Sequence, residues 1–411
     1  TKLIFMSTTL QPLSASNRDR SLDILRGFAL AGVLFIFCVS DNGPSYGYTN
    51  SLLDQIIAWP KYILIESRMY TMLIIIFGIG FHVQLEKAKQ HATSLVPVFS
   101  RRLIGLLVLG FIHAILLSNR DILMFYAIAG VVLLLVRKAT VRQLLLFMGI
   151  LFFIVTPLIQ YNVPNVWPKA AALVEPNDYP DYVQFNWQWF KLYHQVYGIY
   201  IEMLFHFMLG FMISKSGLYQ KLKTNKLFRK KLMVISVISS IIMIPFVYFW
   251  LENILSTLNP KTLKFPVRVL INLGYRSLWQ IWMLVSVTLY GTILISLKSS
   301  GRWKRSLLPL AAFGQMALSN YLIQSLVLVP YFLLTNKFRS VAPTEGLIMF
   351  VIVFVLQLVF STWWMKKYTM GPFEWVLRSF TYWKWQKIKR PSQHQFDNEK
   401  QMITIPTPQY L

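Results

Sequence analysis

The chain has 411 residues, of which 55% are apolar and 14% charged, with a formal net charge of +25. An average soluble domain carries about 25% charged residues; here the charges fall in short clusters between long apolar runs, which excludes an ordinary soluble domain and indicates an all-α, polytopic membrane protein. The basic excess follows those clusters and not one folded face or arm, so it reads as membrane topology and excludes nucleic acid as a partner.

Apolar runs long enough to cross about 30 Å of hydrocarbon at about 1.5 Å per residue occur at 22–40, 62–84, 102–118, 121–136, 142–160, 195–214, 231–251, 277–297, 309–334 and 345–365. They predict about ten transmembrane helices. The N-terminal segment, the loops 85–102, 137–142, 215–231 and 298–305, and the chain from 366 onward hold 29 of the 41 Lys and Arg residues, against ten in the alternating loops. By the positive-inside rule both termini are cytoplasmic. The exception is the loop 252–276, whose Lys261, Lys264, Arg268 and Arg276 suggest a re-entrant or functional segment.

The expected organisation is a cytoplasmic segment 1–20, a transmembrane domain 21–368 with an outer loop 161–194, an interfacial basic and aromatic segment 369–390, and a disordered cytoplasmic tail 391–411. The outer loop, rich in Pro, Asn, Tyr and Trp, reads either as a lid or as a headgroup-level anchor. Cys38 is the single cysteine, so neither an intrachain disulfide nor a thiolate metal site is expected.

Ionisable side chains inside apolar runs are costly and usually have a partner or a task. In chain order the first are Asp23 and Arg26, three residues apart on one face of the first helix. They form either a structural pair or an anion site that Arg101 and Arg102 extend, since a guanidinium fork suits phosphate and carboxylate. Gly27 beside them admits a ligand or a neighbouring helix. Glu66 and Arg68 follow on the second run, candidates for a substrate or proton path.

His113, about one turn before the end of the third run, and Asp121, opening the fourth, are joined by a tight turn. Such a hairpin brings a carboxylate to an imidazole, as in acid–base sites; the structural alternatives are a helix N-cap for Asp121 and an interhelical hydrogen bond for His113. Glu202 and His206, four residues apart on the sixth run, read as a proton relay, a substrate ligand pair or an interhelical link, and two ligands are too few for a metal. Asn320 and Gln324 share a face of the ninth run, where amides join helices or orient a polar substrate.

The stretches "LDILRGFALAGVLF" (22–35), "FGIGFHVQLEKA" (77–88), "RRLIGLLVLGFIHAILLSNRDILMFYAIAGVVLLL" (101–135), "LGFMISKSGLY" (209–219), "FGQMALSNYLIQS" (313–325) and "GPFEWVLR" (371–378) resemble, in this order, the YeiB-like family of bacterial inner-membrane proteins, which carries domain of unknown function 418. The opening and the glycine motif of the second run are also similar to transmembrane acyltransferases such as heparan glucosaminide acetyltransferase and bacterial sugar O-acyltransferases. That resemblance implies acyl transfer from cytoplasmic acyl-CoA, held near Asp23, Arg26, Arg101 and Arg102, to a hydroxyl or amine on the outer side. His113, Asp121, Asn320 and Gln324 would be the catalytic groups. One departure is Phe37, which stands where the O-acyltransferases have a histidine, so a base must come from elsewhere. The alternative is a proton-coupled transporter of a small organic anion, using Arg26, Arg68, Glu202 and His206. Expected partners are the bilayer and a small-molecule, glycan or lipid acceptor; a homodimer is allowed.

Overall fold

In a computed structural model, the described residues are 18–39, 51–119, 121–155, 169, 172–195, 197–249, 265–338 and 341–390. The N-terminal residues before 18, much of 161–171, the stretch 252–264 and the tail from 391 lie outside them, as do the side chains of Arg268 and Arg276. Among these residues the chain is all-helical, with a single bridge between Tyr368 and Lys389.

The helices are α1 (Arg20–Cys38), α2 (Leu52–Pro60), α3 (Arg68–Gln90), α4 (Val96–Leu116), α5 (Leu123–Leu135), α6 (Val141–Ile150), α7 (Tyr179–Tyr193) and α8 (Tyr197–Lys215), followed by α9 (Leu218–Thr224), α10 (Lys226–Phe249), α11 (Phe265–Ser299), α12 (Leu308–Gln315), α13 (Ala317–Leu334), α14 (Pro343–Lys367) and α15 (Pro372–Tyr382). Each run expected from the sequence overlaps a helix, and 309–334 is split at Met316 into α12 and α13. Among the described residues, six helical segments are long and apolar enough to cross a membrane: Arg20–Cys38, Leu52–Gln90, Val96–Leu116, Ser277–Ser299, Ala317–Leu334 and Pro343–Lys367. α5 and Val141–Val155 are shorter apolar helices, the latter being α6 extended by a π-type turn.

Apolar side chains also cover the outside of the bundle. Ile348, Val351, Ile352, Val355, Leu356 and Val359 are exposed along α14, and Ile104, Leu107, Val108, Phe111 and Ile112 along α4. Large exposed apolar faces are unfavourable in water and favourable against lipid, so they mark a helical membrane protein.

Two close helix contacts set the interior. α1 meets α12 where Gly27 and Gly314 face each other: a Cβ on Gly27 would overlap the Leu310 carbonyl, and one on Gly314 the Asp23 carbonyl. α3 meets α8 in the same way through Gly78 and Gly210, against the carbonyls of Phe207 and Ile75. Small residues let backbones approach where lipid offers no hydrophobic drive for association. Around these contacts Phe77, Phe81, Phe99, Phe207 and Phe211 pack edge to face, with centroids 4.9–6.2 Å apart.

The start of α1 is fastened at the same end. Asp19 accepts from the Ser21 N–H at 2.9 Å as an N-cap, and from Tyr219 Oη and Lys223 Nζ at 2.8 Å each. Burial opposes ionisation of this carboxyl, but the bonds from Lys223 and Tyr219 outweigh it and hold Asp19 below the ordinary carboxylate value. α9 is thereby tied to α1.

Substituting Gly314→Ala should destabilise the protein by about 1–3 kcal/mol, because the backbone it meets cannot give way. Gly80 has open space around it, so Gly80→Ala in the middle of α3 should stabilise by about 0.5–1 kcal/mol. Thermal unfolding of both variants in detergent checks this; a Gly314→Ala protein as stable as the parent would rule out backbone contact between α1 and α12.

Candidate functional site

Asp23 is 2% exposed and stands between two guanidiniums. Arg18 grips it from one side, Nε to Oδ2 at 2.9 Å and Nη2 to Oδ1 at 3.1 Å, and Arg26 donates from Nη1 to Oδ1 at 3.0 Å. Gly27 is used for the approach of α12.

Further cations converge on this pair. Arg102, from α4, feels the charges of Arg378 and Arg26, and its guanidinium lies 5.3 Å from the Phe77 ring centroid. Arg378 lies on α15, outside the spanning helices; burial and the nearby Arg18 charge push it below its ordinary value. Arg101 turns away and stacks on Trp383 at 6.0 Å. Among the described residues neither Arg102 nor Arg378 forms an ion pair.

The second carboxylate of this neighbourhood, Glu374, is already committed. It accepts from the backbone N–H groups of Leu318 and Ser319 and from the Ser319 hydroxyl, capping the N-terminus of α13. Gly371 and Pro372 begin α15 so close to Ser319 that a Cβ on Gly371 would collide with it, which accounts for "GPFEWVLR". Four guanidiniums and two occupied carboxylates leave net positive charge here, a setting that attracts phosphate or carboxylate.

The second cluster joins α4, the start of α5 and α13. His113 Nδ1 is 2.9 Å from Asp121 Oδ1, and His113 Nε2 is 2.9 Å from Ser325 Oγ. All three residues are at most 5% exposed. In the neutral ring the proton on Nδ1 faces Asp121, which leaves Nε2 to accept from the Ser325 hydroxyl. Asp121 Oδ2 also accepts from the Met124 N–H at 2.9 Å, so one carboxylate both caps α5 and orients the imidazole. Gly110 makes the hairpin possible, since a Cβ there would run into Met124 and Asp121.

The surroundings hold this cluster rigidly. Tyr321 lies 4.8 Å from the His113 ring and 6.2 Å from Phe37. On the far side α7 covers the end of α4: Asn186 Nδ2, Tyr179 Oη and Tyr182 Oη donate to the carbonyls of Ile115, Leu116 and Leu117 at 3.0–3.1 Å. These are the last-turn carbonyls that a helix leaves without partners. Residues 179–193 of the segment read as a lid or anchor are thus a helix docked beside His113. Tyr126 is buried, its hydroxyl without a partner and within range of both the Arg26 and Asp121 charges.

Asn320 and Gln324 do not join His113. Asn320 Nδ2 donates to Phe313 O at 3.0 Å and Ser361 Oγ at 2.9 Å, Gln357 Nε2 donates to Asn320 O at 3.0 Å, and Gln324 Nε2 to Gln357 Oε1 at 3.2 Å. This buried amide ladder joins α13 to α14. Glu202 accepts from Gln280 Nε2 of α11, and His206 Nε2 is buried without a partner. Glu66 contributes its backbone carbonyl to Arg68, which sits against Trp279 and Trp282 on α11. Sequence reasoning missed Ser325, Arg18 and Arg378. A hydroxyl within "ALSNYLIQS" and an arginine within "GPFEWVLR" were the available signals.

A sequence profile of the family described as "Protein of unknown function (DUF418)" matches residues 213–384. The chain is 28% identical over 424 residues to the uncharacterized protein YxaH of Bacillus subtilis, covering 93% of this chain and 99% of that one. It is 24% identical over 402 residues to the uncharacterized protein YeiB of Escherichia coli, covering 89% and 96%. A 39.9 kDa protein from the amylase 3' region of Bacillus acidopullulyticus is 23% identical over 385 residues, covering 91% and 96%. No solved structure matches.

Removing the shared carboxylate by Asp23→Asn should cost about 3–5 kcal/mol, since it leaves Arg18 and Arg26 facing one another without their acceptor. Denaturant unfolding in detergent checks the value; a loss below about 1 kcal/mol, the range of exposed pairs, would show that the pair is solvated.

Proposed function

From its membership of the YeiB-like, DUF418 family and the geometry above, we propose that this chain is a transmembrane acyltransferase of the bacterial inner membrane. It crosses about ten times with both termini in the cytoplasm, and moves an acyl group from cytoplasmic acyl-CoA to a hydroxyl or amine on the outer side. The observation that carries this reading is the buried Asp121–His113–Ser325 chain of hydrogen bonds, the arrangement that activates a serine hydroxyl.

Arg26, Arg102 and Arg378 hold the phosphates of the donor, the net positive charge beside Asp23 being the fit to that group. Ser319 of α13 borders this cluster through Glu374, and Ser325 lies six residues further along the same helix, about 9 Å along its axis. A pantetheine arm spans that distance. Ser325 Oγ bonds to the acyl carbon while its proton passes to His113 Nε2. The carbon–sulfur bond breaks, and the sulfur leaves with the proton that His113 returns. The acceptor's hydroxyl or amine then attacks the acyl-serine, gives its proton to His113, and Ser325 departs with it. Asp121 keeps the ring in the tautomer both steps need.

The enzymes that the sequence resembles have a histidine at the position of Phe37. Here Phe37 reaches Tyr321, the ring that packs on His113, so the base stands two rings away, on α4. Asn320 and Gln324 act as positioning residues for α13.

Purified protein given radiolabelled acetyl-CoA should acquire a hydroxylamine-labile label on the peptide containing Ser325. His113→Ala should lower transfer by about 10²–10⁴-fold, and Ser325→Ala should abolish the label. Full transfer by Ser325→Ala would reduce the mechanism to direct attack by the acceptor; absence of transfer to any acceptor, with no acyl-protein, would remove the enzyme reading.

Transport is the second reading, favoured by the buried, unpartnered Nε2 of His206 near Glu202 and Gln280. Under it, a labelled organic anion should cross proteoliposomes unmodified when a proton gradient is imposed, and His206→Gln should stop it. Gradient-independent flux would sink proton coupling.

A further inference from the structure

Arg68 is fully buried, at 0% exposure, and neither cluster described above uses it. It opens α3 behind an irregular approach: a π-type turn at Lys61–Ile65, then Ser67 with a positive φ of 63°. Non-glycine residues hold such a backbone only where the surroundings enforce it, and such places cluster at ligand sites.

Each part of the guanidinium can be accounted for. Nη1 donates to the carbonyls of Tyr62 at 3.0 Å and Glu66 at 2.8 Å. The face lies over the Trp282 ring, Cζ to centroid 3.7 Å, with Trp279 at 5.2 Å. Nε and Nη2 are buried and have no hydrogen-bond partner. Stacking on an indole satisfies the charge through the face and leaves N–H groups in the guanidinium plane unanswered. Glu66 attracts the charge through space, but the bond it accepts from Arg68 is at its backbone oxygen.

Nε and Nη2 share one edge of the guanidinium, and that edge grips two oxygens of a single carboxylate or phosphate. Asp23 shows the difference, since Arg18 spends the same two nitrogens on its carboxylate. A buried cation with this edge open lacks the partner that normally compensates desolvation.

We infer that Arg68 is an oxyanion-binding site, taking a carboxylate or phosphate group on its Nε–Nη2 edge between the α3 entry and the Trp279–Trp282 wall. It is separate from the arginines around Asp23, and it stands whether or not the chain transfers acyl groups. The ligand is either a soluble organic anion or a lipid headgroup phosphate, which offer the same oxygens.

The test titrates delipidated protein in a phosphate-free maltoside with sodium acetate, inorganic phosphate or phosphatidylglycerol, at constant ionic strength with chloride as control. Thermal midpoint and tryptophan fluorescence are followed for wild type, Arg68→Lys and Trp282→Phe. Wild type should respond saturably to at least one probe, and Arg68→Lys, which keeps the charge and loses the fork, should bind about tenfold or more weakly. A response to phosphatidylglycerol alone assigns the headgroup; a response to acetate or phosphate assigns a soluble anion. Trp282→Phe, which weakens the ring that holds the guanidinium, should reduce the stabilisation and lose most of the fluorescence change. No saturable response to any probe, equal binding by Arg68→Lys, or an undiminished fluorescence change in Trp282→Phe would each overturn the site.

Discussion

A carboxylate carried into an apolar bundle must find its partners inside the protein, and the shared grip of Arg18 and Arg26 on Asp23 is where that requirement is met first. The pair sits beside the closest backbone contact of the bundle, because the Asp23 carbonyl is the atom that a side chain at Gly314 would strike. Electrostatics and packing therefore constrain the same few residues. α12 can lie against α1 only with glycine on both sides, and α13 begins where α12 ends, at Met316.

The consequences run outward along α13. Glu374 caps its first turn from α15, the amide ladder of Asn320, Gln324 and Gln357 holds its middle to α14, and Ser325 is left facing α4. A neutral bond of this kind contributes about 0.5–1.5 kcal/mol, and one to a carboxylate such as Glu374 about 1.5–3 kcal/mol. Their common effect is to set the rotation of one helix, and that rotation decides whether Ser325 reaches His113. α7 does the same for α4 by occupying the carbonyls of its last turn.

Local patterns in the sequence disclosed local structure. Apolar runs located the helices because hydrocarbon thickness sets their length. The hairpin spacing placed His113 against Asp121 because a tight turn leaves few alternatives, and Asp23 paired with Arg26 because residues three apart share a face. Contacts between distant segments were invisible. Ser325 is 212 residues from His113 and reads as an ordinary small polar residue of a span. Arg378 sits in a basic, aromatic stretch that composition assigns to the membrane surface, yet α15 packs on α4, where Gly105 leaves room for Leu377 and Phe380. The break at Met316 and the positive φ of Ser67 have no residue signal, since neither position is glycine or proline.

Buried polar atoms divide into those whose bonds hold the bundle and those left unanswered, and the amide oxygens of Gln324 and Asn186 belong to the second set although their nitrogens belong to the first. Asp23, Asn320 and Glu374 have their bonds within the protein, and their removal is a question of stability. The hydroxyl of Tyr126, Nε2 of His206 and the free edge of Arg68 do not, and a buried polar group without a partner is a cost that folding alone gives no reason to keep. Tyr126 is within range of the charges of both Arg26 and Asp121. The His113 cluster falls between these classes: its bonds are complete, but the one from Ser325 to His113 joins a hydroxyl to a base, and such a bond can transfer a proton as well as hold two helices together.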